Sequence, residues 1–111
     1  MSIIKNKLES LNIILPPAPK PAANYVPTVK SGNLIFVSGQ IPVVDGNMIV
    51  GKVGHNIEIK EAVAAARACG LAIIAQLNDA TNSDLDKISR IVKLGGFVNC
   101  TDTFTQQPEI I

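Results

Sequence analysis

Hydrophobic and polar positions change their spacing several times along the chain, and each change predicts a secondary-structure element. Ile4, Leu8 and Leu11 recur at helical spacing, which predicts a short N-terminal helix over residues 2–11. Residues 15–21 are rich in proline and predict an extended connector. The main fold is therefore expected to begin after this connector.

Four short apolar runs follow the connector and predict two β-hairpins. Gly32 lies between the first two runs and Asp45-Gly46 between the last two, and both positions carry residue types of tight turns. Pro27 predicts an edge strand or a bulge, because proline cannot donate a hydrogen bond to a sheet. The four runs are residues 25–29, 34–37, 41–44 and 48–50.

One long helix is predicted over residues 56–77. Asn56 can cap its first turn, and Glu58 and Glu61 lie where the helix dipole favours negative charge. An apolar stripe at helical spacing, with small residues near its middle, would let this helix lie close to a sheet. The stripe consists of Ile59, Val63, Ala66, Gly70, Ile73 and Leu77.

Apolar residues from Leu85 onward lead into a last predicted strand that continues through Phe97 and Val98, with Gly95-Gly96 as a bulge or a close backbone approach. Most of the strands precede the one long helix, and this order predicts an α+β fold. One helix on one sheet face leaves the core thin. A second helix or partner subunits should therefore cover the rest of the sheet.

Length and composition predict one domain over residues 1–111, with the helix and connector at 1–22 and the core at 23–111. Of the 111 residues, 47% are hydrophobic and 17% are charged, which is enough for a single core. No apolar run reaches the roughly 18–20 residues of a membrane span. The first apolar stretch is too short for a signal peptide, so we expect a cytoplasmic protein without a membrane partner.

Charge and ligand chemistry argue against nucleic acid and metal. A net charge of +1 with scattered lysines and arginines lacks the basic patch of a nucleic-acid-binding protein. His55 is the one histidine and cannot form a zinc site alone, and Cys69 and Cys100 should stay reduced in the cytoplasm. We therefore expect no metal, no cofactor and no nucleic-acid partner.

Three segments, in this order along the chain, resemble the RidA/YjgF family. Residues 23–27 resemble the family's tyrosine-bearing strand. Residues 33–42 form an apolar run followed by Ser-Gly-Gln-Ile-Pro, which is similar to the family signature. Residues 91–104 resemble its Val-Lys segment and include Asp102 and Phe104. Together these matches carry the resemblance.

Residues 8–16 and 65–69 also resemble a longer branch of this family with an N-terminal extension. The resemblance implies a chorismate-mutase-like α+β fold in which helices pack on one face of a sheet. It further implies a homotrimer with three clefts between subunits. In the archetype these clefts hydrolyse imino acids such as 2-iminobutanoate to 2-oxo acids and ammonia, so the implied partner is a small imino or oxo acid.

The resemblance also indicates what this sequence lacks. In the family, an arginine clamps the substrate carboxylate and a glutamate positions water, in segments that would follow Ile111. We therefore expect the sequence to be part of a longer chain, and its catalytic residues stay unassigned. Older family labels are endoribonuclease and translation initiation inhibitor, but RNA cleavage needs acid and base groups or a metal, which one loop histidine does not supply.

Tyr25, Ser38 and Gly39 form the candidate ligand-binding group. The Tyr25 ring can face a ligand while its hydroxyl bonds a polar end of that ligand. The Ser38 hydroxyl with the bare backbone at Gly39 can hold a carboxylate or carbonyl oxygen. The alternatives are a half-buried strand tyrosine and an ordinary strand-ending turn. Two functions therefore stay open: an imine deaminase completed by further residues, and a non-catalytic trimer that binds a small metabolite.

Four other residues with reactive or charged side chains favour structural roles. Arg67 is the lone charge in an apolar helix stretch. It could bind a ligand carboxylate, but we expect it to extend to the surface or to pair with an acid. Cys69 is most simply a small core residue, and Cys100 lies near a strand end. His55, in a glycine-flanked loop, favours a surface or near-cap position over a role as a base.

Overall fold

The computed structural model describes residues 2–21 and 23–111, and the chain divides into two compact units. Its short strands and helices confirm the α+β class. Within the described residues, no helix is both long and apolar enough to cross a membrane. The first unit comprises Met1–Gln40 and Leu71–Val92, and the second comprises Ile41–Gly70 and Lys93–Ile111.

The predicted N-terminal helix is confirmed as α1, Ile3–Ser10, in the first unit. Ser2 caps this helix with its side chain. Asp86, on a short 3-10 helix far along the chain, accepts hydrogen bonds from the amides of Ile3 at 2.8 Å and Ile4 at 2.9 Å. These amides have no partner within the helix, and the carboxylate also meets the positive end of the helix dipole. Asp86 therefore anchors α1.

The first hairpin is confirmed as the antiparallel pair β1, Thr28–Ser31, and β2, Leu34–Val37. Gly32 begins its two-residue turn with a φ of 58°, as a type II′ turn requires at the first central position. The first strand was predicted to begin at Tyr25, which is wrong. It begins after Pro27, because proline has no N–H group for the ladder.

The proline-rich connector has no regular secondary structure, and a buried glutamine holds it in place. Gln76 is only 2% exposed, and its Nε2 atom donates a hydrogen bond to the carbonyl of Pro19 at 2.6 Å. A buried amide needs such a partner, because leaving it unpaired costs free energy. The interaction therefore fixes one point of the connector within the first unit.

The second hairpin is confirmed in the second unit, but it is shorter than predicted. It consists of β3, Val43–Val44, and β4, Asn47–Met48, in antiparallel register. Asp45 and Gly46 have φ angles of 51° and 80°. Positive values at both central positions are the requirement of a type I′ turn, so the Asp-Gly signal predicted this turn correctly.

The long helix is confirmed as α2, Ile59–Ala80, but its predicted cap is wrong. Asn56 accepts a hydrogen bond from the amide of Lys52 at 2.7 Å and so stabilises the loop before the helix. Instead, the Oε1 atom of Glu61 accepts from the amide of Glu58 at 3.2 Å. This return bond is the glutamate half of a capping box, and it moves the helix start toward the C-terminus.

The buried face of α2 differs from the predicted stripe. Val63, predicted to be buried, is 40% exposed, whereas Ala62 and Ala65 are 6% and 8% exposed. Alanines pack here because their short side chains allow close approach of the helix. A last helix, α3, Gln107–Ile110, completes the second unit. The buried core of this unit is Val53, Ala62 and Ile110.

The last predicted strand, expected to continue through Phe97 and Val98, is wrong, because this segment forms no strand. The nearest pairing is at Val53, whose amide donates to the carbonyl of Asn99 and whose carbonyl accepts from the amide of Thr101. A strand needs a neighbour for successive backbone groups, and the described residues supply one here only at Val53. Their four strands pair as two separate two-stranded sheets, so the expected larger sheet is not formed among them.

Asp86→Asn should weaken the attachment of α1 and lower the urea midpoint at pH 7. The amides of Ile4 and Ile3 hold the pKa of the Asp86 carboxyl below its usual value. Its contribution is therefore complete above the unfolded-state value of about 3.9 and is lost as the pH falls through the lower folded value. Urea unfolding at several pH values would show that acid lowers the midpoint less in the variant than in the parent protein.

Asp84→Asn is the matched control, because the Asp84 side chain makes no capping hydrogen bond to the 3-10 helix that follows it. Its urea midpoint should stay near that of the parent protein at every pH. Equal midpoints for Asp86→Asn and the parent at pH 7 would contradict the anchoring role.

Gly54→Ala should destabilise the second unit by about 1–3 kcal/mol, because a side chain is strained at this backbone conformation. Gly54 has a φ of 91°, and an added Cβ would lie 2.8 Å from the Oγ1 atom of Thr101. Gly70→Ala in α2 meets nothing within 4 Å and should stabilise the helix by about 0.5–1 kcal/mol. Urea unfolding measures the free energy of unfolding of both variants, and changes of the same sign would contradict the prediction.

Candidate functional site

The structure places Tyr25, Ser38 and Gly39 at one end of the β1–β2 hairpin. The amide of Ser38 donates to the carbonyl of Pro27 at 2.9 Å, which extends the ladder by one step beyond the paired strands. Tyr25 lies two residues before Pro27, and Gly39 directly follows Ser38. The three residues therefore share a location, although the sequence separates Tyr25 from the other two.

The donors at this end differ from the predicted set in one respect. The Ser38 amide is committed to Pro27 and is not available to a ligand. The Ser38 side chain is half-buried and Gly39 is exposed. Among residues 2–21 and 23–111, neither the Ser38 hydroxyl nor the Gly39 amide has a hydrogen-bond partner. A hydroxyl and one adjacent N–H group are thus the polar groups that can meet an oxygen of a ligand.

The local backbone holds these donors in a defined position. The Nε2 atom of Gln40 donates to the carbonyl of Ser38 at 3.0 Å, which restrains the backbone just after the strand. An added Cβ at Gly39 would meet nothing within 4 Å. Gly39 is exposed, and the space beside its Cα is open.

Tyr25 contributes an aromatic surface to the same end. Its side chain is 45% exposed, and its amide donates to the carbonyl of Ala23 at 2.9 Å, which forms a tight bend before the first strand. A ring that is partly packed and partly open can contact the apolar part of a ligand. This position agrees with the predicted role, which remains a prediction.

One face of the β1–β2 hairpin is apolar and open. Val29 and Phe36 lie opposite each other in the ladder and are 52% and 59% exposed, and Leu34 is 46% exposed. Side chains alternate between the faces of a strand, so Ser38 shares a face with Leu34 and Phe36. The candidate donors therefore adjoin an uncovered apolar surface.

The residues expected to be structural occupy unremarkable surroundings. Arg67 is exposed, in agreement with its expected surface position. Cys69 is half-buried, and burial raises the pKa of its thiol, which disfavours the reactive thiolate. The Sγ atom of Cys100 accepts a hydrogen bond from the Nε2 atom of Gln107 at 3.5 Å within the second unit.

A cavity in the second unit, lined by both polar and apolar residues, was not predicted. It has a volume of about 620 Å³ and surrounds the start of α2, with His55 exposed at its edge. In the sequence, the available signal for this cavity was the spacing of Glu58 and Glu61, one helical turn apart. That spacing is equally explained by the helix dipole, which favours negative charge in the first turn. Polar and apolar side chains share the lining, which includes His55, Asn56, Glu58, Glu61 and Gln106 with Ile57, Ile59 and Phe104.

This cavity does not combine its groups into a metal site. No three His, Cys, Asp or Glu residues in the described part of the chain lie together in a way that could hold a metal ion. One carboxylate oxygen of Glu61 is already engaged with the Glu58 amide. Tyr25, Ser38 and Gly39 do not line this cavity, so it is separate from the predicted group.

Comparison with known proteins gives a consistent result. A family model described as "YjgF/chorismate_mutase-like, putative endoribonuclease" matches residues 5–111. Protein TCP17 of Trypanosoma cruzi is 46% identical over 101 residues, which are 90% of this chain and 62% of that protein. Protein HMF1 of Saccharomyces cerevisiae is 33% identical over 79 residues, which are 71% of this chain and 54% of that protein. The chain thus spans less than two thirds of either relative.

Solved structures share the fold. Protein Atu1372 of Agrobacterium tumefaciens superposes with a TM-score of 0.84 at 42% identity, over 96% of this chain and 65% of that one. A protein of Shewanella oneidensis MR-1, also described as a "putative endoribonuclease", superposes with a TM-score of 0.87 at 29% identity, over 96% of this chain and 70% of that one. The similarity covers both units of the chain.

Proposed function

Because the chain belongs to the YjgF/chorismate mutase-like family, we propose that it binds small 2-imino and 2-oxo acids and hydrolyses the imino acids. The products are the corresponding 2-oxo acid and ammonia. The proposal keeps the cytoplasm as the compartment, where the two cysteines would remain reduced. Its binding group is Tyr25, Ser38 and Gly39.

The observation that carries the proposal is the pair of adjacent donors at the end of β2. The Ser38 hydroxyl and the Gly39 N–H have no partner among the described residues, and Gly39 is exposed. A ligand carboxylate or carbonyl oxygen can accept both hydrogen bonds, and bonds to a charged acceptor are the stronger kind. The Tyr25 ring would then contact the aliphatic part of the same ligand.

The reaction needs positioning more than a reactive side chain. Water adds to the imine carbon, and the C=N double bond becomes a single bond as the nitrogen takes a proton. The nitrogen then leaves as ammonia while the C=O bond forms, without oxidation or reduction. Hydrogen bonds that hold the acid end place the imine carbon in one orientation toward the attacking water, which is the contribution expected of Ser38 and Gly39.

The proposed site includes a wall from a second copy of the chain. Val29, Leu34 and Phe36 expose an apolar surface next to Ser38, and contiguous surfaces of this kind favour association. A homotrimer would cover this surface and convert the open end of the hairpin into a cleft. It would also enclose the donors in drier surroundings, where each hydrogen bond is stronger.

Metabolite binding without catalysis is the second candidate, and the positions of the arginines favour it. The sequence contains two arginines, Arg67 and Arg90. Neither belongs to the proposed binding group, and Arg90 lines a separate apolar groove in the first unit. Tyr25, Ser38 and Gly39 themselves supply the neutral half of a carboxylate site. An arginine contributed by further residues of a longer chain would favour catalysis. A longer chain without such an arginine would favour binding alone.

Intrinsic RNA cleavage is not part of the proposal, although the family description carries an endoribonuclease label. Acid and base groups for that chemistry would have to come from the cavity around His55, Glu58 and Glu61. Those carboxylates would repel the RNA backbone, and the net charge of +1 gives little compensation.

Ser38→Ala should reduce imine hydrolysis by about tenfold or more, because it removes a hydrogen bond to a charged group. Tyr25→Phe, which keeps the ring but removes the hydroxyl, should reduce the rate of hydrolysis by a smaller factor. Threonine dehydratase can generate 2-iminobutanoate in place, and the rate of 2-oxobutanoate release is then measured with and without the protein. Ser31→Ala is the matched control, because its exposed hydroxyl lies at the opposite end of the same hairpin.

Each outcome of this assay decides between the two candidates. Acceleration that falls in Ser38→Ala but not in Ser31→Ala supports the deaminase. Saturable binding of 2-oxobutanoate without acceleration supports the binding protein. Neither acceleration nor binding, or equal loss in both serine variants, contradicts the assignment of the site.

The parent protein should be a trimer at micromolar concentration, and Phe36→Asp should dissociate it. In the trimer the new carboxylate would be buried without a partner, which is costly. In the isolated subunit the side chain at this position is 59% exposed, so the subunit should tolerate the charge. Light scattering coupled to size-exclusion chromatography measures the mass. Lys30→Glu, on the opposite face of the hairpin, should leave the trimer intact. A monomeric parent protein would contradict the inter-subunit cleft.

A further inference from the structure

The first unit contains an apolar groove that none of the proposed binding residues lines. It has a volume of about 250 Å³. Ile4 and Leu8 of α1 form one wall, and Ile74 and Leu77 near the end of α2 form another. The segment that follows the 3-10 helix closes it with Ile88. The groove is thus built from elements remote in the sequence.

The walls of this groove are held in place independently of any ligand. Asp86 accepts hydrogen bonds from the first amides of α1, which fixes the helix that carries Ile4 and Leu8. Leu77 is 7% exposed and forms part of the packed interior of the first unit. The groove is therefore a preformed feature, which reduces the entropy that a ligand must lose on binding.

One cation lies at the groove. Arg90 is exposed and contributes to the lining beside Ser89. In the part of the chain that the structure describes, Arg90 makes no hydrogen bond or ion pair. A guanidinium group next to an apolar groove is complementary to a ligand with a hydrocarbon body and an acidic end, because the fork geometry matches a carboxylate.

We infer that this groove is a binding site for an aliphatic carboxylic acid, with its chain between α1 and α2 and its carboxylate on Arg90. Water occupies about 30 Å³ in the liquid, and a methylene group is similar in size, so the groove holds roughly eight such groups. Its single cation also selects a small acid over a neutral apolar molecule.

Binding of straight-chain acids from butanoate to decanoate tests this inference in the full protein. Each added methylene should tighten binding about fourfold, which corresponds to about 0.8 kcal/mol per buried CH₂. The gain should stop near eight carbons, when the groove is full. Calorimetric titration measures the affinities, and methyl NMR shifts should change for Ile4, Leu8 and Ile74 upon binding.

Arg90→Gln should weaken octanoate binding by about tenfold, because the carboxylate loses a charged hydrogen-bond partner. It should leave binding of 1-octanol unchanged, since the alcohol carries no charge. Arg67→Gln is the matched control: it removes the same charge from an exposed arginine outside the groove and should change octanoate affinity by less than about twofold. Ser38→Ala should also leave octanoate binding unchanged, which separates this site from the proposed imine site.

Three results would overturn the inference. Affinity that does not depend on chain length would show that the groove does not hold the hydrocarbon. Equal losses in Arg90→Gln and Arg67→Gln would show a general charge effect. Methyl shifts confined to residues outside the groove would place the acid elsewhere.

Discussion

Burial of alanine side chains on α2, Ile59–Ala80, is the packing interaction on which both units depend. The second unit buries Ala62 and Ala65, and the first buries Ala72 and Ala75. Alanine loses no side-chain entropy on burial and allows the helix backbone to approach its neighbours closely. Larger side chains on this face would overpack both interiors. The helix therefore organises each unit through small residues, and several larger apolar side chains lie outside these interiors.

Those larger side chains connect the fold to the proposed activity. Val29, Leu34 and Phe36 are exposed on the first hairpin, beside the donors of Ser38 and Gly39. A surface that favours association next to unpaired hydrogen-bond donors couples assembly to ligand binding in the proposal. The same packing would stabilise the oligomer and exclude water from the site. The second copy would thus contribute to chemistry as well as to stability.

Satisfaction of backbone N–H groups explains which predicted elements form. Asp86 supplies the acceptor for the first amides of α1, and Glu61 supplies one at the start of α2. Residues 91–98 have a strand-like apolar pattern, but no described residue pairs with them, and the nearest bridge joins Val53 to Cys100. Apolar pattern alone does not produce a strand without acceptors and donors alongside it. By anchoring α1, Asp86 also completes one wall of the apolar groove.

The sequence by itself determined the elements whose stability is local. Gly32 and Asp45-Gly46 predicted both hairpin turns, because these residue types tolerate the positive φ angles that such turns require. Helical spacing predicted α1 and most of α2. The family motif predicted Tyr25, Ser38 and Gly39 as a group. Only the tertiary structure decided the cap by Asp86, the exposure of Val63, the missing strand and the groove at Arg90. Each of these depends on partners distant in the chain, and residue spacing carries no information about which distant groups meet.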